Sequence, residues 1–406
     1  MKLFFLFVSM LFCLVHGQTI SDVNTLFKDL MTDYSKGVMP TPPTETLNIS
    51  IEVYIVSINY FREVEESLSV TCSFIVDWTD TRLAWNPSTY NNVNVLLIDM
   101  ENIWVPNIVL LNRVDKIEPI GNGVKFSGAL TSTGRVYYAP GLVADVKCVT
   151  DISKFPFDSQ TCTLHIFPWG TNLPYAIFKN LFNSTCNLDY FSVNSDWTLE
   201  ECSLRIAEAD LEGGPRGPGP PLFGKKFDNS NIYTELFVTL KIKRSSLYFA
   251  IMVVFPTLLL GFLNPLVFIL PVETGNRIGL SVTLLLSYAI FLTLASASVP
   301  ATSNPMCTLL IIMVVIITIS GVIVYGTVIT IKYHHTESMD AIWSPFIKLA
   351  RVRVRRKLTS IEPIDPKKEI SVTKKDVIDL LDFLFFYGSY IILLAVGIGY
   401  FIHVLI

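Results

Sequence analysis

Four long apolar runs near the C-terminus constrain this chain more than any other feature of its sequence. They cover residues 247–270, 277–298, 307–331 and 383–402. A helix rises about 1.5 Å per residue, so each run is long enough to cross a hydrocarbon core of about 30 Å. The chain is 51% hydrophobic and 16% charged, whereas a soluble domain is about 25% charged. The sequence therefore predicts an α-helical membrane domain with four spans.

The N-terminus has the pattern of a secretory signal peptide. Lys2 precedes an apolar run over residues 3–15, and the small residue Gly17 follows shortly after. This run is too short to span a bilayer. We expect residues 1–17 to be removed and residues 18–245 to form an extracellular domain, where disulfides are stable.

The basic residues orient the spans. Residues 332–378 are rich in Lys and Arg, and short segments of this kind stay in the cytoplasm. The first three spans then occupy residues 246–331. Residues 379–406 contain the fourth span and an extracellular C-terminus. Within the cytoplasmic loop, residues 341–357 predict a basic amphipathic helix.

The predicted extracellular domain has the alternation of apolar and polar residues that is typical of β-strands. The alternation is plain in residues 68–78 and 236–243. Many short strands separated by turn residues predict an immunoglobulin-like β-sandwich, preceded by a helix over residues 22–32. The Gly- and Pro-rich residues 213–224 predict a long loop, because Pro cannot donate a hydrogen bond within a central strand.

Five cysteines lie in this domain, and an odd number leaves at least one free or bonded to another chain. They are Cys72, Cys148, Cys162, Cys186 and Cys202. Cys72 shares the apolar face of its strand and is the candidate free thiol, whereas Cys186 and Cys202 are a candidate pair. Two sequons, at Asn48 and Asn183, predict glycosylation.

Cys148 and Cys162 enclose a short loop that contains Phe155-Pro156-Phe157-Asp158. A disulfide that closes a loop of this length contributes roughly 3 kcal/mol in the loop-entropy model. An aromatic residue before Pro favours a cis peptide bond and a tight tip. The spacing of the cysteines alone also fits an ordinary hairpin staple in a secreted β-sandwich.

Together with four following spans, this loop resembles that of the Cys-loop (pentameric ligand-gated ion channel) receptor family, and its nicotinic acetylcholine receptor-like members in particular. Three further segments match the family: Trp78 with Trp85-Asn86-Pro87, the Trp104-Val105-Pro106-Asn107 stretch, and Pro256 in the first span. The resemblance covers nearly the whole mature chain.

The resemblance implies that a small agonist binds between subunits, in a cage of aromatic rings. Trp169 and Tyr233 stand at two of the family's cage positions, and Tyr138 is expected to face them from the neighbouring subunit. The chain departs from the pattern where Ser73 and Leu111 replace two expected aromatics, and it lacks the adjacent cysteines of acetylcholine-binding subunits. Phe223 or Phe227 is a candidate replacement ring. Alternatively, the rings are structural in a subunit that does not bind acetylcholine.

The resemblance also implies that the second span lines a pore. At helical spacing its pore face contains Gly279, Thr283, Leu286, Ile290, Thr293 and Ala297. Leu286 and Ile290 would form the constriction. Glu273 and Asn276 lie at the cytoplasmic mouth as selectivity residues, and Glu273 favours cations. The alternative for this span is a plain packed helix.

The same family pattern implies a set of residues that couple agonist binding to the pore. Glu63 and Arg244 match a buried ion pair near the membrane. The tip formed by Phe155, Pro156, Phe157 and Asp158 is expected to meet this pair.

We therefore predict a mixed fold and a neurotransmitter-gated, pentameric and cation-conducting channel subunit. Its predicted partners are a neurotransmitter-like agonist, permeant ions, four other subunits and the bilayer. The predicted location is the plasma membrane, with both termini outside and the postsynaptic membrane as one setting. The alternatives are an accessory subunit without an agonist site, or a membrane-tethered binding or adhesion β-sandwich that does not conduct. The sequence shows no enzyme site, cofactor motif, metal cluster or nucleic-acid-binding tract.

Overall fold

The computed structural model describes residues 19–171, 175–180, 185–210, 232–299, 305–359 and 371–405. These residues form two compact units. The first unit contains most of the chain up to residue 243. The second unit contains residues 244–406 together with two short upstream segments, residues 63–65 and 150–159. The predicted signal peptide, the loop over residues 213–224 and the Asn183 sequon lie outside the described residues.

The first unit begins with helix α1, Ile20–Met31. Thr19 and Asp22 form a capping box at its start, because each side chain bonds to the other residue's backbone N–H. Eleven strands follow among the described residues. They are β1 Leu47–Arg62, β2 Ser67–Thr79, β3 Val95–Asp99, β4 Ile108–Leu110, β5 Ser127–Thr131, β6 Arg135–Tyr138, β7 Gly141–Lys147, β8 Ser159–Pro168, β9 Ala176–Asn180, β10 Trp197–Asp210 and β11 Ile232–Arg244.

These strands form two sheets. The larger sheet has the order β3-β5-β6-β2-β1-β9, with β7 also paired to β2, and the smaller sheet has the order β10-β11-β8-β4. Alternate residues along each strand are buried, so the inward side chains of both sheets make one hydrophobic core. Trp78 lies in this core, with its ring packed edge-on against Trp104 at 6.0 Å. The predicted β-sandwich is confirmed.

The second unit contains four helices that are long and apolar enough to cross a membrane, counted over the part of the chain that the structure describes. They are α2 Leu247–Ile269, α3 Asn276–Ala297, α4 Thr308–His335 and α6 Lys374–Leu405. A further helix, α5 Ser344–Thr359, lies between the last two. Helix α2 is wound as a π-helix over Ala250–Val254, ahead of Pro256.

Two helix ends extend beyond the predicted boundaries. Helix α4 continues to His335. Helix α6 begins at Lys374, several residues before the predicted boundary at residue 379, because Thr373 and Asp376 form a hydrogen-bonded cap at its start. Apolarity alone marks where a helix enters the hydrocarbon, whereas capping residues mark where the helix begins.

Candidate functional site

Two of the predicted ligand-binding residues lie together on the outer face of the smaller sheet. Trp169 follows the end of β8 and is 51% exposed. Tyr233 lies at the start of β11, the neighbouring strand, and is half-buried. Phe167 joins them: its ring centroid is 6.3 Å from that of Trp169 and 5.2 Å from that of Tyr233. Phe167 is not among the residues predicted from the sequence, although its spacing two residues before Trp169 places both side chains on one face.

Two ionisable side chains, those of His165 and Glu235, lie on the same face of this sheet as the rings. His165 Nε2 is 2.9 Å from Glu235 Oε2, and both residues follow the outward alternation of β8 and β11. The imidazole of His165 stacks on Phe237 at 4.5 Å, and the Arg205 guanidinium lies 4.9 Å from the same ring. The outer face of this sheet thus combines aromatic rings, of which Trp169 is the most exposed, with the ionisable side chains of His165, Glu235 and Arg205. This combination suits a small polar or cationic ligand.

Of the remaining predicted ligand residues, the structure describes Tyr138, which does not join this cluster within the single chain. Tyr138 was predicted to face the cage of a neighbouring subunit, but its side chain is 7% exposed and packs against Phe126 in the core of the larger sheet. Its hydroxyl lies over Gly121, where a Cβ atom would be 2.1 Å away, so the backbone closes over this ring. Burial also raises the pKa of Tyr138. Phe223 and Phe227 lie outside the described residues.

Arg244 stands at the end of β11, in the second unit, and is held by two carboxylates. Its Nε and Nη2 donate to the two carboxylate oxygens of Asp158 at 2.7 and 3.1 Å, and its Nη1 donates to Glu63 Oε1 at 2.5 Å. The Arg244 side chain is 4% exposed. Burial alone would lower the pKa of this guanidinium, but the hydrogen bonds and charges of Asp158 and Glu63 raise it. Loss of one partner from such a buried pair costs about 3–5 kcal/mol.

Aromatic rings surround this ion cluster. The Arg244 guanidinium carbon lies 5.0 Å from the ring centroid of Phe155 and 5.5 Å from that of Phe249. The Phe155–Pro156 peptide bond is cis. Phe155 and Pro156 are buried, whereas Phe157 is 37% exposed. Most of the predicted coupling residues therefore form one buried cluster around Arg244, and Phe157 alone among the four residues of the tip is exposed.

Helix α3 is buried along one side and exposed over most of the rest of its surface. Each predicted pore residue is exposed in the single chain: Gly279, Thr283, Leu286, Ile290, Thr293 and Ala297. The opposite face is buried against the other helices and contains Arg277, Ser281, Leu284, Tyr288 and Ala295. An apolar membrane helix that exposes a row of hydroxyl, small and aliphatic residues is suited to line a pore.

The hydroxyl groups on the exposed face are oriented by the helix backbone. Thr283 Oγ1 donates to the Gly279 carbonyl at 2.8 Å, and Thr293 Oγ1 donates to the Ala289 carbonyl at 2.9 Å. A hydroxyl has one donor and two acceptor lone pairs. Because the donor is already used, each threonine presents oxygen lone pairs to its surroundings, and such groups attract cations.

The start of α3 is fixed by Arg277. Its guanidinium makes two hydrogen bonds with Asp382 of α6, at 2.7 and 2.8 Å. The remaining N–H groups donate to the carbonyls of Leu270 and Phe268 and to Thr330 Oγ1. Glu273 and Asn276 are exposed near this end. The positive charge of Arg277 is thus neutralised, whereas the carboxylate of Glu273 faces solvent.

The disulfides and free thiols agree with the sequence prediction. Cys148 bonds Cys162, and Cys186 bonds Cys202. Cys72 is free and buried, and its burial raises the thiol pKa to about 12. Asn48, the first residue of the described sequon, is exposed on β1.

Known families match both units. Residues 23–212 match the model described as neurotransmitter-gated ion-channel ligand binding domain. Residues 253–392 match the model described as neurotransmitter-gated ion-channel transmembrane region. These matches confirm the resemblance found in the sequence.

The chain is also similar to curated acetylcholine receptor subunits. It is 27% identical over 400 residues to the Caenorhabditis elegans subunit alpha-type unc-38, covering 92% of this chain and 76% of that protein. It is 28% identical over 317 residues to neuronal subunit alpha-2 of Gallus gallus, covering 76% of this chain and 56% of that protein. The C. elegans subunit beta-type lev-1 is 28% identical over 292 residues, with 71% and 52% covered. The chain thus spans between about half and three quarters of these relatives' lengths. Because the two family models together match most of its residues, the chain belongs to the neurotransmitter-gated ion-channel family, whose members are ligand-gated channels and not enzymes.

Proposed function

We propose that the chain is a subunit of a pentameric cation channel of the plasma membrane, opened by a small extracellular agonist that binds where two subunits meet. The observation that carries this proposal is the exposed face of α3. A single chain in a bilayer gains nothing by exposing Thr283 and Thr293 to lipid, whereas five copies around an axis would place these hydroxyls against water.

The gate of this pore is assigned to Leu286 and Ile290. Their side chains are 61% and 54% exposed, and they lie one helical turn apart. Five copies of each would form two adjacent apolar rings. A narrow apolar ring expels water and blocks ions, and the pore conducts when the rings separate and become hydrated.

Three features favour cations. The threonine hydroxyls present lone pairs to the lumen, as described above. Five exposed Glu273 carboxylates would form a negative ring at the inner mouth. Asp382 neutralises Arg277, a buried positive charge four residues after Glu273, so that it does not oppose the field of the glutamate ring.

The agonist-binding site is assigned to the rings of Trp169 and Tyr233, with Phe167 behind them. A desolvated cation gains about 2 kcal/mol over an aromatic face. Ser73 and Leu111 stand where two further rings are expected, so a quaternary ammonium ligand gains less here. We therefore propose that acetylcholine is a weak agonist of the chain alone, and that a smaller ligand, or a second subunit type that completes the cage, suits the site better.

Two strands connect this site to the membrane domain. Along the chain, β8 runs from Ser159, which follows Asp158, to Pro168, which precedes Trp169. Its neighbour β11 contains Tyr233 near its start and ends at Arg244. A ligand that displaces these rings on binding therefore displaces the two strands that lead to the buried Arg244–Asp158 pair. Agonist binding would shift the closed–open equilibrium through this pair.

The test is expression in oocytes under voltage clamp, with a panel of transmitters and with external sodium replaced by a large impermeant cation. We expect an agonist-evoked inward current that disappears when sodium is replaced. A current that follows the chloride gradient would contradict cation conduction. Surface protein that responds to no ligand alone, but does so beside an acetylcholine receptor subunit, would favour the accessory-subunit alternative.

A further inference from the structure

A histidine and a glutamate face each other across β8 and β11, the two strands that carry the rings assigned to the agonist. His165 of β8 lies four residues before Trp169, and Glu235 of β11 lies two residues after Tyr233. Along both strands, the pair lies between these rings and the strand ends at Asp158 and Arg244. A change in this pair would therefore act next to the agonist-binding rings.

The contact between the two side chains depends on charge. His165 Nε2 lies 2.9 Å from Glu235 Oε2, which is the distance of an ion pair, but neither atom meets the geometry of a hydrogen bond with any described group. The two side chains are only 18% and 7% exposed. A buried carboxylate oxygen without a hydrogen bond is costly. A positive imidazole compensates this cost by attraction, whereas a neutral imidazole leaves the oxygen unpaired.

Phe237 and Arg205 surround the imidazole on the side of β11 and β10. The His165 ring stacks on the Phe237 ring at 4.5 Å, with 20° between the planes, so a positive imidazole also gains cation–π attraction. The Arg205 guanidinium of β10 lies 4.9 Å from the same phenyl ring and opposes a second positive charge. Glu235 thus favours a charged imidazole and Arg205 disfavours it. Histidine is the side chain whose charge ordinarily changes between pH 5 and 8.

The other contacts that the structure describes around His165 are uncharged. Just after β4, Asn112 Oδ1 accepts from the His165 backbone N–H at 3.0 Å, and the Leu111 N–H donates to the His165 carbonyl at 2.7 Å. Next along the strands, the hydroxyl oxygens of Thr163 and Thr239 are 3.3 Å apart. These bonds fix the backbone of β8. A change in the charge of the imidazole therefore acts mainly on its contact with β11.

We propose that His165 is a proton-binding site that tunes the response of the chain to its agonist. This proposal rests on the agonist site given under the proposed function. Protonated His165 pairs with Glu235 and holds β8 and β11 in the arrangement that this structure shows. In this arrangement, Phe167 contacts the rings of both Trp169 and Tyr233. Because a site that is already arranged binds its ligand more tightly, protons and agonist favour each other's binding.

The test is a series of concentration–response curves in oocytes between pH 8 and pH 6. The agonist is one from the transmitter panel whose own charge does not change over this range. We expect the half-maximal concentration of the unmodified chain to fall about 5- to 10-fold on acidification, the lower part of the range for coupled sites. His165→Gln should keep the higher concentration at every pH. His165→Lys, with a fixed positive charge, should keep the lower one, and Glu235→Gln should also remove the pH dependence.

A histidine elsewhere provides the matched control. His403→Gln, at an exposed position near the end of α6, should retain the pH dependence of the unmodified chain. The proposal would be overturned by a half-maximal concentration that stays constant or rises on acidification. A pH dependence that persists in His165→Gln, or that is lost equally in His403→Gln, would overturn it as well.

A second measurement needs no agonist. The thermal midpoint of the solubilised full chain is compared at pH 6 and pH 8, and His165→Gln should lower it more at pH 6, where the imidazole is charged and paired with Glu235. Equal losses at the two pH values would count against the proton-dependent pair. A larger loss at pH 6, in a chain that gives no agonist-evoked current, would support the proton-binding site and contradict the proposed function, so the two failures are distinguishable.

Discussion

Arg277 offers a test of how helix α3 is held in the membrane domain, because every N–H group of its guanidinium donates a hydrogen bond. All five of its N–H groups have partners, from α2 and the residue that follows it, from α4 and from α6. The perturbation is Asp382→Asn, which keeps the shape of the side chain but removes its charge. The guanidinium then remains buried, with its side chain 3% exposed and no formal negative partner.

The expected cost follows from the burial of the pair. Breaking a buried ion pair by changing one partner costs about 3–5 kcal/mol. The Asp382 side chain is 16% exposed, and the amide oxygen of Asn keeps one of the two hydrogen bonds, so we expect about 3 kcal/mol. For a domain of 150–250 residues, 1 kcal/mol lowers the thermal midpoint by about 2–4 °C, which predicts a decrease of about 6–12 °C.

The assay measures the thermal midpoint of the solubilised protein by size-exclusion chromatography with fluorescence detection. Asp379→Asn is the matched control, since this exposed carboxylate lies one turn away and only its backbone carbonyl bonds Arg353. The control should change the midpoint by less than about 2 °C, because surface substitutions stay within about 0.5 kcal/mol. In Arg277→Gln/Asp382→Asn the combined loss should be smaller than the sum of the single losses. Equal midpoints for Asp382→Asn and Asp379→Asn would refute the reasoning.

Four further predictions concern the gate, the selectivity ring and the cysteines. Leu286→Ser should hydrate the constriction and give leak current or higher agonist sensitivity. Leu280→Ser, on another face of α3, should do neither, so equal currents in the two variants at matched surface expression would contradict the assignment of the gate. Glu273→Ala should shift the reversal potential toward that of anions, and an unchanged potential would remove Glu273 as the selectivity group. Cys148→Ser should abolish surface assembly, because losing a native disulfide costs about 2–5 kcal/mol; normal surface labelling would count against this. The Cys72 thiol, with its pKa raised to about 12, should resist alkylation at pH 8 until the protein is denatured, and rapid labelling of the folded protein would contradict its burial.

The periodicity of the sequence predicted the features that depend on local geometry. A 3.6-residue repeat placed Leu286 and Ile290 on one face of α3, and that face is exposed. A two-residue repeat placed Cys72 on the buried face of β2. Both patterns are imposed by the backbone itself, so neither required knowledge of the tertiary structure.

Contacts between distant segments were harder to predict. The Arg277–Asp382 pair joins residues 105 positions apart, and nothing local to Asp382 indicates which helix it faces. Asp158 was expected at the tip of the disulfide loop, but not as the bidentate partner of Arg244. Tyr138 was placed at the ligand site, yet the turn at Gly121 closes over its ring. In each case the position of another segment, and not the residue's own pattern, determines the environment.

The central claim is that an agonist binds at Trp169, and a concentration–response curve for the agonist identified in the transmitter panel tests it most directly. Acetylcholine is measured beside that agonist on the chain expressed alone. In Trp169→Ala, loss of about 2 kcal/mol of cation–π attraction predicts about a 30-fold higher half-maximal concentration for a cationic agonist. Tyr190→Ala, at an aromatic residue that is 72% exposed elsewhere on the same unit, should leave the half-maximal concentration unchanged. Acetylcholine should activate the chain alone only above micromolar concentrations. Micromolar activation by acetylcholine would contradict the weak-agonist assignment, and an agonist whose potency is the same in Trp169→Ala would contradict the site itself.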